Sequence, residues 1–309
     1  MGRCFVKKLK NIVILCGGQS GERDVSFKSA EPVFETLKKL YPTHLIRLDE
    51  NKLPGGLDPE EDLIFPVTHG DFGEDGQLQT LLEQGGFTYI GSDSKTSALC
   101  MDKMRSKQLA QTHHLPVLPG IALQLGQKLD ETFICETLGG TSFVLKPTNK
   151  GSSIGVHLCS DFGDLKEVWS TISEGNWMVE RCAHGRELTL GILQGEPMGI
   201  VEIRPKHGFY DFKNKYTSGA CEYLYPAPIG TEFTQKMKAV GVAFFQDANC
   251  RDFGRIDCIL EPDGHLWLLE MNTIPGMTAQ SLFPKSAACI GLSFENMLKQ
   301  LIEKALKRC

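Results

Sequence analysis

Apolar positions along the chain fall in short runs whose period changes from one to the next. Residues 11–16 are apolar from Ile12 onward and run into Gly17-Gly18, the pattern of a parallel strand buried on both faces and entering a tight turn. Val33, Phe34, Leu37 and Leu40 then recur at helical spacing and predict a helix over 25–40. Strand-like runs follow at 44–48, 63–67 and 88–90, with a helix at 77–84 between the last two. This strand–helix alternation predicts an α/β unit over 1–96. A long helix is expected over 94–114, stopped by Leu115-Pro116 and Pro119-Gly120. Strand-like runs at 142–146, 155–158 and 177–180, with a helix at 165–172, mark a smaller α+β unit over 97–185. The remainder, 186–309, holds strands at 187–193 and 199–203, a polar loop at 206–226 and a helix at 232–248. A long hairpin and a helix at 294–307 close it. No repeat or low-complexity linker separates the three units, so they are expected to pack closely.

Composition narrows the function. Of 309 residues, 41% are hydrophobic and 23% charged, as in ordinary globular chains, and the net charge of −5 argues against nucleic-acid binding. No run approaches the ~20 apolar residues of a membrane span, and no signal-type segment precedes the first strand, so no membrane insertion is expected. The 11 cysteines stand singly, without a CxxC pair or zinc-type spacing. They read as free thiols in a reducing compartment, which points to a cytoplasmic protein. Many of the 32 glycines sit in short loops after strands, as they do in enzymes that hold phosphates.

The hairpin carries the strongest chemical signal. Arg255-Ile256-Asp257 and Glu270-Met271-Asn272 lie on two strand-like runs joined through Pro262-Asp263-Gly264, and an Asp-Gly pair favours a two-residue type I′ turn. In that register Asp257 faces Glu270 and Arg255 faces Asn272. Cross-strand Cβ atoms stand about 4.5–5.5 Å apart, where like charges destabilise a sheet. Two carboxylates and an amide oxygen on one face suit a hard dication such as Mg²⁺. They equally suit a solvated polar face on which Arg255 neutralises the acids, and the pattern alone leaves both open.

Three loops add weaker signals. Gly151-Ser152-Ser153-Ile154-Gly155 would cradle phosphates with backbone N–H groups, helped by Lys146 or Lys150, yet no GK[ST] follows and a lone Gly/Ser loop reads more readily as surface. Gly17-Gly18-Gln19-Ser20-Gly21-Glu22 lacks the spacing of a dinucleotide fingerprint. Glu22 and Asp24 would repel a pyrophosphate and suit an ammonium group, although acids also favour helix starts for the dipole alone. His69-Gly70 follows a strand's carboxyl end, where open α/β sheets bind ligands, but a lone His there is more often a loop hydrogen-bonder.

In order and over nearly the whole chain, these segments resemble the D-alanine–D-alanine ligases of the ATP-grasp superfamily. The resemblance rests on residues 17–26, on His69-Gly70-Asp71-Phe72-Gly73-Glu74-Asp75-Gly76, on Met101-Asp102-Lys103 and on Lys146-Pro147 with Gly151-Ser152-Ser153. Phe209-Tyr210-Asp211-Phe212-Lys213-Asn214-Lys215-Tyr216 and Glu270-Met271-Asn272-Thr273-Ile274-Pro275-Gly276-Met277-Thr278 complete it. It implies a mixed α/β, three-domain ATP-grasp fold whose first domain is Rossmann-like. It also implies ATP, two Mg²⁺ or Mn²⁺ ions, D-alanine as substrate, a homodimer and a place in peptidoglycan precursor synthesis. Asp257, Glu270 and Asn272 would hold the metal, and Arg255 with the Gly276 N–H would stabilise an oxyanion. Lys103, Lys146 and Lys215 would meet the phosphates, with Ser153 in the glycine loop. Glu180, Arg181, Cys182 and Ala183 would form the adenine hinge, Glu187 would contact the ribose and Phe209 the base. Glu22 would take the first D-alanine's ammonium, His69 would lie in the substrate site, and Ser281-Leu282 would grip the second carboxylate. Ser152 and Tyr216 would tie a lid to Glu22. Cys182 departs from the large aromatic that some members carry, and Thr80 from a common glycine.

Other readings fit less well. D-alanine–D-lactate ligases lack a Tyr at the position matching Tyr216. A nucleotide-binding regulator without chemistry would not need Arg255 beside Asp257, Glu270 and Asn272, and a nicotinamide oxidoreductase would need the missing fingerprint.

Overall fold

A computed structural model describes residues 10–206 and 220–308. The chain begins with β1 (Asn11–Gly17), α1 (Arg23–Leu37), β2 (Thr43–Leu48), β3 (Asp62–Pro66), α2 (Gln77–Gln84), β4 (Thr88–Tyr89), α3 (Ser94–Met101) and α4 (Lys103–Thr112). It continues through β5 (Gly120–Leu123), α5 (Glu131–Leu138), β6 (Phe143–Pro147), β7 (His157–Cys159), α6 (Phe162–Thr171) and β8 (Trp177–Arg181). The last third holds β9 (Arg186–Leu193), β10 (Glu196–Pro205), β11 (Cys221–Leu224), α7 (Gly230–Asp247), β12 (Phe253–Leu260), β13 (Leu266–Asn272), α8 (Leu282–Ala288) and α9 (Phe294–Leu306).

The strands form three sheets. The first, ordered β2-β1-β3-β4, is wholly parallel, and β1 is buried at every position after its first, as its unbroken apolar run requires. Its turn into α1 needs glycine: Gly17 has φ +96°, and a Cβ there would lie 2.7 Å from Leu48 O. The second sheet, β5-β8-β6-β7, and the third, β11-β10-β9-β12-β13, are antiparallel. Mixed α/β architecture is therefore present as expected.

Cores divide unevenly among the sheets. Phe143, Leu145 and Val179 pack with Leu165 and Trp169 in a core belonging to the second sheet alone. The first sheet keeps one face to itself, where Val13, Leu15 and Ile64 pack with Phe72 and Leu78, and shares the other. Ile12, Ile14, Leu63 and Phe65 share a core with Phe253, Phe283, Met297 and Leu301 of the third unit. Phe65 meets Phe253 edge-on with centroids 6.3 Å apart.

The elements depart from expectation in several places, among them strand β5, and two departures have evident local causes. The helix expected over 94–114 breaks at Asp102, whose backbone is extended and whose carboxylate caps a new helix by accepting from Met104 and Arg105 N–H. Lys103 N–H donates instead to Thr148 O at 2.8 Å, which turns the start of α4 toward the second sheet. Helix α5 went unread although Asp130 caps it and Gly139 ends it with φ +69°. Strand β11 lies inside the expected polar loop, and α8 is only 7 residues long.

One ion pair near the C-terminal end, Asp252 with Arg308, also holds the end of the first sheet. Asp252, fully buried, accepts from both Arg308 Nη atoms and from Gly91 N–H, while Arg308 Nη2 also donates to Tyr89 O at 2.7 Å. Removing one member strands the other and the Gly91 donor. Asp252→Ala is expected to lower unfolding stability by about 3 kcal/mol, read from urea melts near neutral pH.

Candidate active site

The hairpin reaches its expected pairing by two compensating departures. Glu261 N–H donates to His265 O at 2.8 Å, Gly264 N–H donates to Glu261 O at 3.0 Å, and Gly264 has φ +87°. The loop is therefore Pro262-Asp263-Gly264, one residue longer than read, which shifts the register by one. A bulge between Asp257 and Cys258 shifts it back and leaves Leu269 without a partner opposite. Asp257 thus faces Glu270, and Arg255 faces Asn272. Arg255 grips Asp257 through Nε and Nη2 at 3.0 and 2.7 Å, and Thr189 on β9 donates to Asp257 Oδ1 at 2.5 Å. Lys103 Nζ stands 3.4 Å from Glu270 Oε2. The Arg255 and Asp257 side chains are only 12% and 18% exposed, which removes the reading of a solvated face.

Across from the hairpin, Glu22 is buried at the N-terminal end of α1. The Ser152 hydroxyl donates to its carboxylate. Ser152 and Ser153 hold φ of 52° and 58°, so the glycine loop is a shaped turn rather than a free surface segment. Lys150 pairs with Asp71, and Lys103 Nζ donates to Lys150 O at 2.6 Å, pinning the same loop. At Gly70, φ +74°, a Cβ would lie 2.8 Å from Glu22 Oε2. His69 is held from both sides: Nδ1 is 3.1 Å from Glu74 Oε1, and Nε2 is 3.0 Å from Ser29 Oγ. Met277 N–H donates to the same Ser29 hydroxyl at 3.4 Å, tying α1 to the loop that carries Gly276. In that loop the Thr278 N–H donates to Ser281 Oγ at 3.0 Å, and Lys285 Nζ donates to Gln280 O at 2.6 Å.

The second sheet carries a further buried cluster of charges outside the cavity lining. Val144 pairs with Glu180 and Lys146 with Met178, so Lys146 and Glu180 share the face opposite the private core. Glu180 accepts from Lys146 and stands 2.8 Å from Lys107 Nζ. Burial raises its pKa, but Lys146 and then Lys107 outweigh that and hold it at about 2. Burial pulls the Lys103 ammonium down, against the field of Glu270. Beyond Glu180, the Arg181 side chain turns away to pair bidentately with Glu261 at 2.9 and 2.8 Å. Cys182 N–H donates to Ser142 O.

Ten of the residues singled out in the sequence line one cavity of about 770 Å³: Glu22, His69, Lys103, Ser152, Arg255, Glu270, Asn272, Gly276, Ser281 and Leu282. Lys146, Glu180, Cys182, Ala183, Glu187, Ser153 and Asp257 are not part of that lining. Glu187 shares the Asp257 face of the third sheet, since the registers pair Thr189 with Asp257 and Glu187 with Ile259. Phe209, Lys215 and Tyr216 lie outside the described residues. Sequence reading missed Lys107, Thr189, Ser29 and Lys285. Only Lys107 carried a signal, being one helical turn after Lys103.

A parallel sheet followed by two antiparallel sheets, with a cavity bounded by the start of α1, the glycine loop and the hairpin, is the architecture of the ATP-grasp class. Residues 109–303 match the family model described as D-ala D-ala ligase C-terminus. A D-alanine–D-alanine ligase of Methylacidiphilum infernorum is 36% identical over 95% of both chains, and one of Pseudothermotoga lettingae is 38% identical over 96% of this chain and 99% of its own. A Bacillus anthracis D-alanine–D-alanine ligase complexed with ATP superposes with TM-score 0.84 at 28% identity, covering 97% of this chain and 98% of that one. The VanG D-Ala:D-Ser ligase of Enterococcus faecalis gives 0.83 at 27%, over 96% and 100%. The chain belongs to the D-alanine–D-alanine ligase family.

The Arg181–Glu261 link between β8 and the hairpin loop has a pH signature. Glu261 is held at about 2, first by hydrogen bonds from Arg181 and also by Trp267 Nε1–H at 2.6 Å. An unfolded Glu titrates near about 4.3, so the pair's stabilisation is complete above that pH and is lost as pH falls toward 2. Wild type is expected to exceed Glu261→Gln in stability at pH 7, with the gap closing between pH ~4.3 and ~2 in urea melts.

Proposed function

We infer that this chain joins two D-alanines into D-alanyl-D-alanine, cleaving ATP to ADP and phosphate. The observation that carries the reading is the single cavity in which Glu22, Ser152, Arg255, Gly276 and Ser281 converge from separate parts of the fold. The γ-phosphate passes to the carboxylate of the first D-alanine, whose ammonium rests against Glu22. The amine of the second attacks the acyl phosphate, and phosphate leaves from the tetrahedral intermediate. Arg255 and the Gly276 N–H stabilise its oxyanion, while the Ser281 hydroxyl and Leu282 N–H hold the second carboxylate. Lys103 and Lys146 meet the phosphates, and Lys215, outside the described residues, is proposed as a third contact to them. The glycine loop and the Ser152–Glu22 bond exclude water that would hydrolyse the acyl phosphate.

The donor set fits Mg²⁺: Asp257, Glu270 and Asn272 present hard oxygens on one half-buried face, and two such ions are proposed there. Bound Mg²⁺ would neutralise the charge that develops on the transferring phosphoryl group. We assign the substrate unit to 1–96, the central unit to 97–185 and the catalytic unit to 186–309. The reading places the enzyme in the cytoplasm, as a homodimer, making a peptidoglycan precursor. Among the described residues, no helix is long and apolar enough to cross a membrane.

Purified protein with Mg-ATP and D-alanine is expected to release ADP and phosphate and to form the dipeptide, with L-alanine inert. ADP release indifferent to D-alanine would overturn the ligase reading. Supplying D-serine or D-lactate beside D-alanine identifies a mixed-product enzyme by chromatography. Glu270→Gln is expected to cut turnover by at least ~100-fold and to raise the Mg²⁺ concentration needed for half-maximal rate. An unchanged Mg²⁺ profile would remove Glu270 from the metal site.

A further inference from the structure

Helix α8 buries a cation that has no anion beside it among the described residues. Gly191 and Gly199 let the helix lie flat on the third sheet. A Cβ at Gly191 would stand 2.9 Å from Ser286 Oγ and 3.0 Å from Phe283 Cδ2, and one at Gly199 would collide with Cys289 Cβ. The Ser286 hydroxyl donates to Gly199 O and accepts from Gly191 N–H at 2.9 Å. Held down in this way, the helix leaves Lys285 only 8% exposed. Its Nζ donates to Gln280 O at 2.6 Å and stands 3.3 Å from Ala279 O and 3.4 Å from Gln280 Oε1. The centre of the Tyr223 ring is 4.9 Å away. All these partners are neutral, and burial alone pulls the ammonium below the usual lysine range. The other buried lysines are answered: Lys103 has Glu270, and Lys107 and Lys146 share Glu180. Buried charges are ordinarily paired, so Lys285 stands out.

Its position says which anion belongs there. Ala279, Gln280, Ser281, Leu282 and Tyr223 line the cavity, and Lys285 touches that wall from behind. Gln280 O and Ser281 N–H belong to one peptide group. Lys285 holds that group through Nζ, and its own N–H donates to Ser281 O at 3.3 Å, so it fixes the chain on both sides of Ser281. The Ser281 hydroxyl and the Leu282 N–H can orient a carboxylate, but neither brings a full charge. Of the cations in the lining, Arg255 is committed to Asp257 and Lys103 to Glu270, while Lys28 is exposed on α1.

We propose that Lys285 is a positioning residue that makes the second-substrate end of the cavity selective for an acid, by holding the Gln280–Ser281 turn and placing a positive field behind it. The proposal rests on the ligase reading above, in which Ser281 and Leu282 hold the second substrate's carboxylate. A carboxylate seated there supplies the counter-charge that the folded chain lacks, through a wall with little water to screen the attraction. A neutral amide of the same shape gains nothing from that field and leaves the cation as it was. D-alanine, D-serine and D-lactate all carry the carboxylate, so Lys285 does not separate them.

The test supplies D-alanine and D-alaninamide together with Mg-ATP and reads the ratio of D-alanyl-D-alanine to D-alanyl-D-alaninamide by chromatography. D-alaninamide has no carboxylate to phosphorylate, so it can enter only as the second substrate. Wild type is expected to favour the acid. Lys285→Gln keeps a donor for Gln280 O and loses the charge. It should move the ratio toward the amide by on the order of tenfold and raise KM for the second D-alanine more than KM for ATP. Lys285→Met, which fills the space without polar atoms, should match it and stands in should the Gln variant not fold. Lys285→Arg, which keeps the cation, should retain most of the wild-type ratio. An unchanged ratio in either neutral variant would reduce Lys285 to a cap on backbone carbonyls and overturn the proposal. So would a loss in Lys285→Arg as large as in Lys285→Gln, or a wild type indifferent to acid and amide. Absence of D-alanine-dependent phosphate release in wild type would instead overturn the underlying ligase reading.

Discussion

Two carboxylates, Asp257 and Glu270, stand opposite one another on a half-buried ladder, and their repulsion dictates what surrounds them. Like charges at that separation weaken a sheet by roughly 0.2–1 kcal/mol and more where water is scarce. Arg255, two residues along the same strand, is therefore turned onto Asp257, and Thr189 donates from the next strand. Glu270 is met from outside the sheet by Lys103. That lysine can reach only because the preceding helix stops at Asp102 and a new one starts in a different direction. The break in the helix and the charge on the hairpin are two ends of one requirement.

A second balance runs behind the first. Lys103, Lys107 and Lys146 bring three positive charges against Glu180 and Glu270. The surplus sits between two sheets with little water to screen it, where it attracts a polyphosphate more strongly than the same charges would on an open surface. Arg181 and Glu261 close the far end of this cleft, and Leu268 N–H adds a hydrogen bond to Pro116 O at 2.7 Å. The charged middle is bounded by a tied edge.

How much of this could be read along the chain varies with the range of the interaction. β1, α2 and the hairpin strands were legible because each is specified by its own pattern of apolar positions and turn residues. The Asp257–Glu270 pairing was read correctly for an incomplete reason, since a loop one residue longer and a bulge of one residue cancel. Asp102 was hidden by the apolar periodicity on both sides of it. Asp130 and Gly139 did announce α5, but 8 residues with a weak stripe do not stand out without their neighbours. The motif residues were legible as motifs. The Ser152–Glu22 contact was expected only through the family resemblance, and that Ser29 should reach Met277 depends on segments far apart in sequence, which no local pattern carries.

The first and third sheets share one hydrophobic core, whereas the second keeps its own. Glu22 and the Gly276–Ser281 loop therefore sit on a common rigid body, stitched by Ser29 between His69 and Met277. On the function proposed above, these two walls of the cavity are the jaws of a fixed gauge. Their spacing is set by how Phe65, Phe253 and Phe283 interlock, away from the cavity itself. A chain built this way measures the length of what it joins before the nucleotide has any say in the matter.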